Sequence, residues 1–121
     1  LIANRTVSKA ESLIDKYKNL FSNIHLLSSD DLNSPDVVIN GSSAGLTGKF
    51  QPVELNTKET TAFYDLNYSL ETTPFCEWAI QASPRVFDGI GMLVNQAAYS
   101  FDIWFGVKPK TEQVLEDIKA L

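Results

Sequence analysis

Hydrophobic and polar positions change their spacing repeatedly along the chain. Leu1-Ile2-Ala3 is apolar and strand-like, and Asn4 to Val7 then brings in polar groups. Ser8, followed three residues later by Glu11, has the form of a capping box. Behind it Ala10, Leu13, Ile14, Tyr17, Leu20 and Phe21 recur at helical spacing, which predicts a helix from about Ser8 to Phe21. Ile24 to Leu27 predicts a short strand, and Ser28 to Pro35 a polar turn region. Asp36-Val37-Val38-Ile39-Asn40 carries an unbroken β-branched run, the pattern of a strand buried on both faces. Gly41 to Gly48 reads as a loop, and Thr61 to Leu66 as another strand. Thr73-Pro74 opens a helix to about Ala82, with proline at the first helical position. Val86-Phe87 is a brief strand ending at the turn signal Asp88-Gly89. Ile90 to Phe105 is a long helix, apolar on most of its circumference, and Gly106 to Pro109 breaks it. Thr111 can cap a last helix with Val114, Leu115, Ile118 and Leu121 on one face. This alternation predicts an α/β domain, a parallel sheet covered by helices.

Composition narrows the function. A length of 121 residues allows one small domain at most, and 44% hydrophobic with 21% charged residues reads as globular. No apolar run reaches the roughly 18 residues a membrane span needs, and no secretory signal is visible. Ten Lys plus Arg against 15 Asp plus Glu give a net charge of −5, which disfavours a nucleic-acid or anionic-membrane surface. One cysteine, Cys76, can form neither an internal disulfide nor a cysteine cluster, and it fits a reducing compartment. The expected location is the cytoplasm. With His25 as the one histidine, no transition-metal site is expected. Cys76, Trp78 and Trp104 read as packing residues, and Asp30-Asp31 as a solvated turn. An apolar strand at the very start suggests a piece of a longer protein.

Chemistry could reside in a few stretches that follow strands. Asn4-Arg5-Thr6-Val7-Ser8-Lys9 sits past one strand and opens a helix. In a dinucleotide fold an arginine near that position accommodates the 2′-phosphate of NADP, where an acidic residue would select NAD. Arg5 can fork two hydrogen bonds onto phosphate, and a helix start adds N–H donors. The same spacing is more commonly a capped helix with solvated cations. Ile39-Asn40-Gly41-Ser42-Ser43-Ala44-Gly45-Leu46 continues the β-branched run into a loop; ligands bind beyond such strand ends, and small residues permit close approach, but ordinary turns share this composition. Tyr68, in Asp65-Leu66-Asn67-Tyr68, could hydrogen-bond a polar substrate or simply be half-buried. Met92 and Gln96 share a helix face behind Gly89 and Gly91. An amide in so apolar a helix suits either a hydroxylated ligand or a neighbouring loop.

Taken in order, NRTVSKA, INGSSAGL, YDLNYSLETTPF and DGIGMLVNQAAYSFDIWFG resemble the C-terminal half of shikimate dehydrogenases. The resemblance covers most of the chain, and the last string is the most distinctive. It implies a Rossmann-like domain lacking its N-terminal side, and NADP-dependent interconversion of 3-dehydroshikimate and shikimate on the chorismate route to aromatic amino acids. By this likeness Asn4, Arg5, Thr6 and Lys9 would hold the 2′-phosphate. Lysine at position 9 keeps the charge of an arginine but gives up its bidentate fork. Ser42 and Ser43 would lie along the cofactor, with Leu66, Gly89 and Met92 bordering the nicotinamide. Tyr68 and Gln96 would touch shikimate. The family's catalytic Lys and Asp belong to an N-terminal domain, and its glycine-rich loop lies about 20 residues before the ribose-binding position. Residues 1–121 would thus form a partial NADP-binding domain with C-terminal helices and no catalytic residue of their own, open to homodimer formation or self-association. A quinate/shikimate dehydrogenase of wider specificity and a noncatalytic dinucleotide-binding module are the alternative readings.

Overall fold

A computed structural model describes residues 1–31 and 33–120, so Leu32 and Leu121 of the sequence reading lie outside the described residues. The chain divides into two compact units, Leu1–Asn33 and Ser34–Leu121.

In the first unit, helix α1 spans Val7–Tyr17. It begins earlier than the expected capping box. Asn4 Oδ1 accepts the Thr6 N–H at 2.8 Å, which turns the chain so that Thr6 becomes the N-cap residue. Ser8 then lies inside the first turn, and no side-chain cap bond forms. The helix also stops short of Phe21. Lys18 is its C-cap, a looser turn continues through Phe21, and Leu20 and Phe21 are exposed. The expected strand at Ile24 to Leu27 reduces to a parallel bridge between Ile2 and Leu26. Ile2 N–H donates to the His25 carbonyl and Leu27 N–H to the Ile2 carbonyl, at 2.9 and 2.8 Å. Asp31 is more than a solvated turn residue. Its side chain accepts from the Ser28 N–H at 2.7 Å and from the Ser28 hydroxyl at 3.2 Å, and stands 3.4 Å from His25 Nε2. The Ser28 backbone hydrogen bond is the main reason its pKa lies below the usual carboxylate value.

The second unit is built on a three-stranded parallel sheet in the order β1-β2-β3, from Val37–Asn40, Ala62–Asp65 and Val86–Phe87. Helix α2, Pro74–Ala79, connects β2 to β3, whereas a single 3-10 turn at Gly45–Thr47 lies between β1 and β2. Phe63, Phe75, Cys76 and Ala79 form the buried core, with Val38, Phe50, Trp78 and Val86 packed around it. Phe63 meets Trp78 edge-on at 5.5 Å between ring centroids, a favoured aromatic geometry. Cys76 and Trp78 thus pack as the sequence predicts. Strand β1 does not have two buried faces. Val38 and Asn40 point inward, while Val37 and Ile39 are 55% and 63% exposed. Only its Val38 face packs on the core, so β-branched composition overstated its burial.

Helix α3 runs over Ile90–Phe105, the span predicted, and ends at Gly106 in the left-handed conformation. Val94 and Ala98 are its buried positions. Trp104, expected to pack, is instead 74% exposed, because α3 carries apolar residues around more of its circumference than its neighbours cover. Helix α4 spans Glu112–Lys119 with Thr111 as N-cap residue, without a side-chain cap bond. No described helix is long and apolar enough to cross a membrane.

Candidate functional site

Parallel strands in register send their loops out at one edge of the sheet. Asn40 and Asp65 are register partners at the ends of β1 and β2. Both are buried, and Asn40 Nδ2 donates to Asp65 Oδ1 at 2.9 Å. Each then gathers a loop. Asn40 Oδ1 accepts from the Ser42 hydroxyl and N–H, at 2.8 and 3.1 Å. Asp65 Oδ1 also accepts from the Asn67 N–H and Nδ2, while Oδ2 accepts from Thr73 Oγ1 at 2.7 Å. Thr73 in turn accepts the Cys76 N–H and caps α2. A buried carboxyl group in apolar surroundings is costly unless its oxygens are satisfied, and here the donors are the end of β1, the loop after β2 and the start of α2.

The loop after β3 is joined by backbone. Gly89 N–H donates to the Asn67 carbonyl at 2.9 Å. The approach is tight: a Cβ at Gly89 would stand 2.6 Å from the Leu66 carbonyl oxygen and 3.0 Å from that of Asn67. Glycine is therefore required at position 89 by crowding. Nothing crowds Gly91, so the pairing of two glycines at the helix entrance has one structural cause, not two.

Of the predicted residues, Ser42, Leu66 and Gly89 are brought together around this edge, with Ser43 and Tyr68 on the same loops. Met92 and Gln96 lie exposed on α3, four residues apart and so on one face. The Gln96 amide is exposed and makes no hydrogen bond to the described residues. Asn4, Arg5, Thr6 and Lys9 are exposed around the N-terminus of α1 in the first unit, and no acidic residue occupies that helix's first turn.

The candidate stretches of the sequence include Asn40 and Asp65, but without a role for either, and these two residues organise the edge. Asn40 and Asp65 each place a polar side chain at the end of an apolar strand, and that shared pattern was the available signal. Cys76 lies buried behind this edge, and burial pushes its thiol pKa up. No cluster of metal-ligating side chains occurs among the described residues.

Residues 89–118, the start of α3 through most of α4, match the family described as Shikimate 5'-dehydrogenase C-terminal domain. A shikimate dehydrogenase (NADP(+)) of Marinobacter nauticus is 42% identical, over 98% of this chain and 45% of the relative. The chain is similar to the C-terminal part of shikimate dehydrogenases. It spans about 45% of the length of the curated relatives it matches. Solved structures agree. An Ael1 enzyme from Pseudomonas putida superposes with a TM-score of 0.75 at 35% identity, over 97% of this chain and 44% of that one. A shikimate dehydrogenase in complex with NADP+ gives 0.71 at 28% identity, over 98% of this chain and 45% of that one. The parallel sheet with its helices is thus the Rossmann-like arrangement shared with solved shikimate dehydrogenases.

Proposed function

We propose that this chain is the NADP-binding part of a shikimate dehydrogenase, which interconverts 3-dehydroshikimate and shikimate on the chorismate route to aromatic amino acids in the cytoplasm. Relatives named shikimate dehydrogenase (NADP(+)), matched along essentially the whole chain at about 40% identity, carry this reading. The residues suit the cofactor. Exposed Arg5 and Lys9 beside the start of α1, with no carboxylate in its first turn, suit a 2′-phosphate. Asn4 is engaged with the Thr6 N–H, so its part is to shape that turn as well as to border the ribose. NADP supplies a hydride acceptor at its nicotinamide ring.

The chain's own residues bind and orient. Ser42, whose hydroxyl already donates to Asn40, and Ser43 lie along the dinucleotide, and Leu66, Gly89 and Met92 form an apolar border for the nicotinamide. The Tyr68 hydroxyl and the Gln96 amide hydrogen-bond shikimate, the amide by donating and accepting at once. The proton released from the reacting hydroxyl needs a positioned base. In this reading that base, a lysine with its aspartate partner, belongs to an N-terminal catalytic domain, which also adjoins the glycine-rich loop.

The test uses the full-length protein that contains this chain. Shikimate oxidation with NADP is expected, faster than quinate oxidation, and Arg5→Ala should raise the NADP KM about ten- to a hundredfold, the loss of one charge-assisted contact. The NAD KM should barely change. Equal losses for both cofactors would remove the phosphate role from Arg5. Faster turnover of quinate would favour the broader enzyme, and no turnover of either a binding module.

A further inference from the structure

Asn67 is placed to do something that neither its neighbours nor the family likeness assigns. Its Nδ2 donates to the Ser42 carbonyl at 2.8 Å and to Asp65 Oδ1 at 2.9 Å. Its N–H donates to the same Asp65 oxygen, and its carbonyl accepts from the Gly89 N–H. One residue therefore bonds to the loop after β1, the end of β2 and the loop after β3. We propose that Asn67 is a positioning residue, a latch that sets these loops as one wall of the cofactor site. This rests on the functional reading above, since Ser42, Leu66 and Gly89 are the residues that wall would present.

The chemistry favours an amide at this position. The two bonds from Nδ2 need two hydrogens on one nitrogen, which a carboxylate, hydroxyl or aliphatic side chain does not have. The side chain also stands outside the Phe63–Phe75–Cys76–Ala79 core, so its removal leaves no core cavity. A latch of this kind acts on binding. Without it the incoming dinucleotide must order the loops itself, and part of its binding energy is used in doing so.

The experiment is Asn67→Ala in the full-length protein. The expected result is a melting temperature within about 2 °C of wild type, as for a surface substitution. The NADP KM should rise about tenfold, the effect of one preorganising hydrogen bond. The kcat should change less than about threefold, because no reacting group is removed. The Gly89 amide should exchange faster with solvent. An unchanged KM, or retained protection at Gly89, overturns the proposal. Should Asn67→Ala melt early, Asn67→Asp gives the second reading: it keeps the volume, lacks the donors, and must show the same KM rise in folded protein. Wild-type turnover of shikimate tests the functional assignment separately. If it is absent, NADP affinity by calorimetry replaces KM, and equal affinities for wild type and variant overturn the latch.

Discussion

A single hydrogen atom separates Gly89 from a steric conflict. An alanine there would push its methyl against two backbone carbonyls that have no freedom to rotate away. Gly89→Ala should therefore shift the start of α3 and cost about 1–3 kcal/mol, the range for overpacking. A denaturant titration of the full-length protein reads this directly, and Gly91→Ala, into open space, is the control. Cys76 gives a second residue-level expectation. Its thiol is held in the protonated form by burial, and the thiolate is the reactive species. Iodoacetamide should label it far more slowly than a free cysteine at neutral pH, and at the free rate in denaturant. The sign of the linkage follows. Because the folded-state pKa is raised, this group's contribution to stability is complete below the unfolded thiol value and is lost as pH rises through the folded one.

At the scale of elements, α2 shows how a short helix is held. It has six residues, too few to persist alone, and its first turn depends on Thr73. Thr73→Val keeps the shape but strands the Cys76 N–H and an Asp65 oxygen, at about 1–3 kcal/mol for each buried unpaired group. Thr73→Ser keeps both bonds and should recover most of the lost stability by chemical denaturation. The same element shows what the sequence could convey. Thr73-Pro74 announced a helix start because capping and proline geometry are local. The span of α3 was equally legible, since its apolar run and Gly106 are contiguous. The start of α1 was not, because Asn4 competes with Ser8 for the turn, and the competition is settled by a side-chain bond to Thr6. The exposure of Val37 and Ile39 was hidden too, since a β-branched run says nothing about how many layers cover it. Ser42, Leu66 and Gly89 could be chosen by likeness and position, but the bonding through Asn40, Asp65 and Asn67 depends on register between strands 25 residues apart.

For the molecule as a whole, the outward side of α3 governs behaviour. Ile103 is 83% exposed, and Trp104 and Phe105 are exposed beside it. Large apolar side chains exposed together at one end of a helix promote association. Residues 1–121 prepared alone should sediment as concentration-dependent oligomers. On the proposed reading they should bind NADP weakly and show no shikimate oxidation, because that reading assigns the base to an N-terminal domain. Monomeric behaviour over a hundredfold range of concentration would contradict the first expectation. Turnover near that of the full-length enzyme would contradict the last, and would mean that the catalytic groups are among residues assigned here to packing.

The bonded pair at the ends of β1 and β2 has a consequence for how such a protein can change. The side chains that secure the loops, Asn40, Asp65 and Thr73, are buried, whereas Leu66 and Tyr68 between them stand exposed. Anchorage therefore rests on buried positions, and the exposed side chains beside them carry little of it. Residues 66 and 68 can be exchanged by mutation with little loss of stability, so the surface at this sheet edge can change without its scaffold being rebuilt.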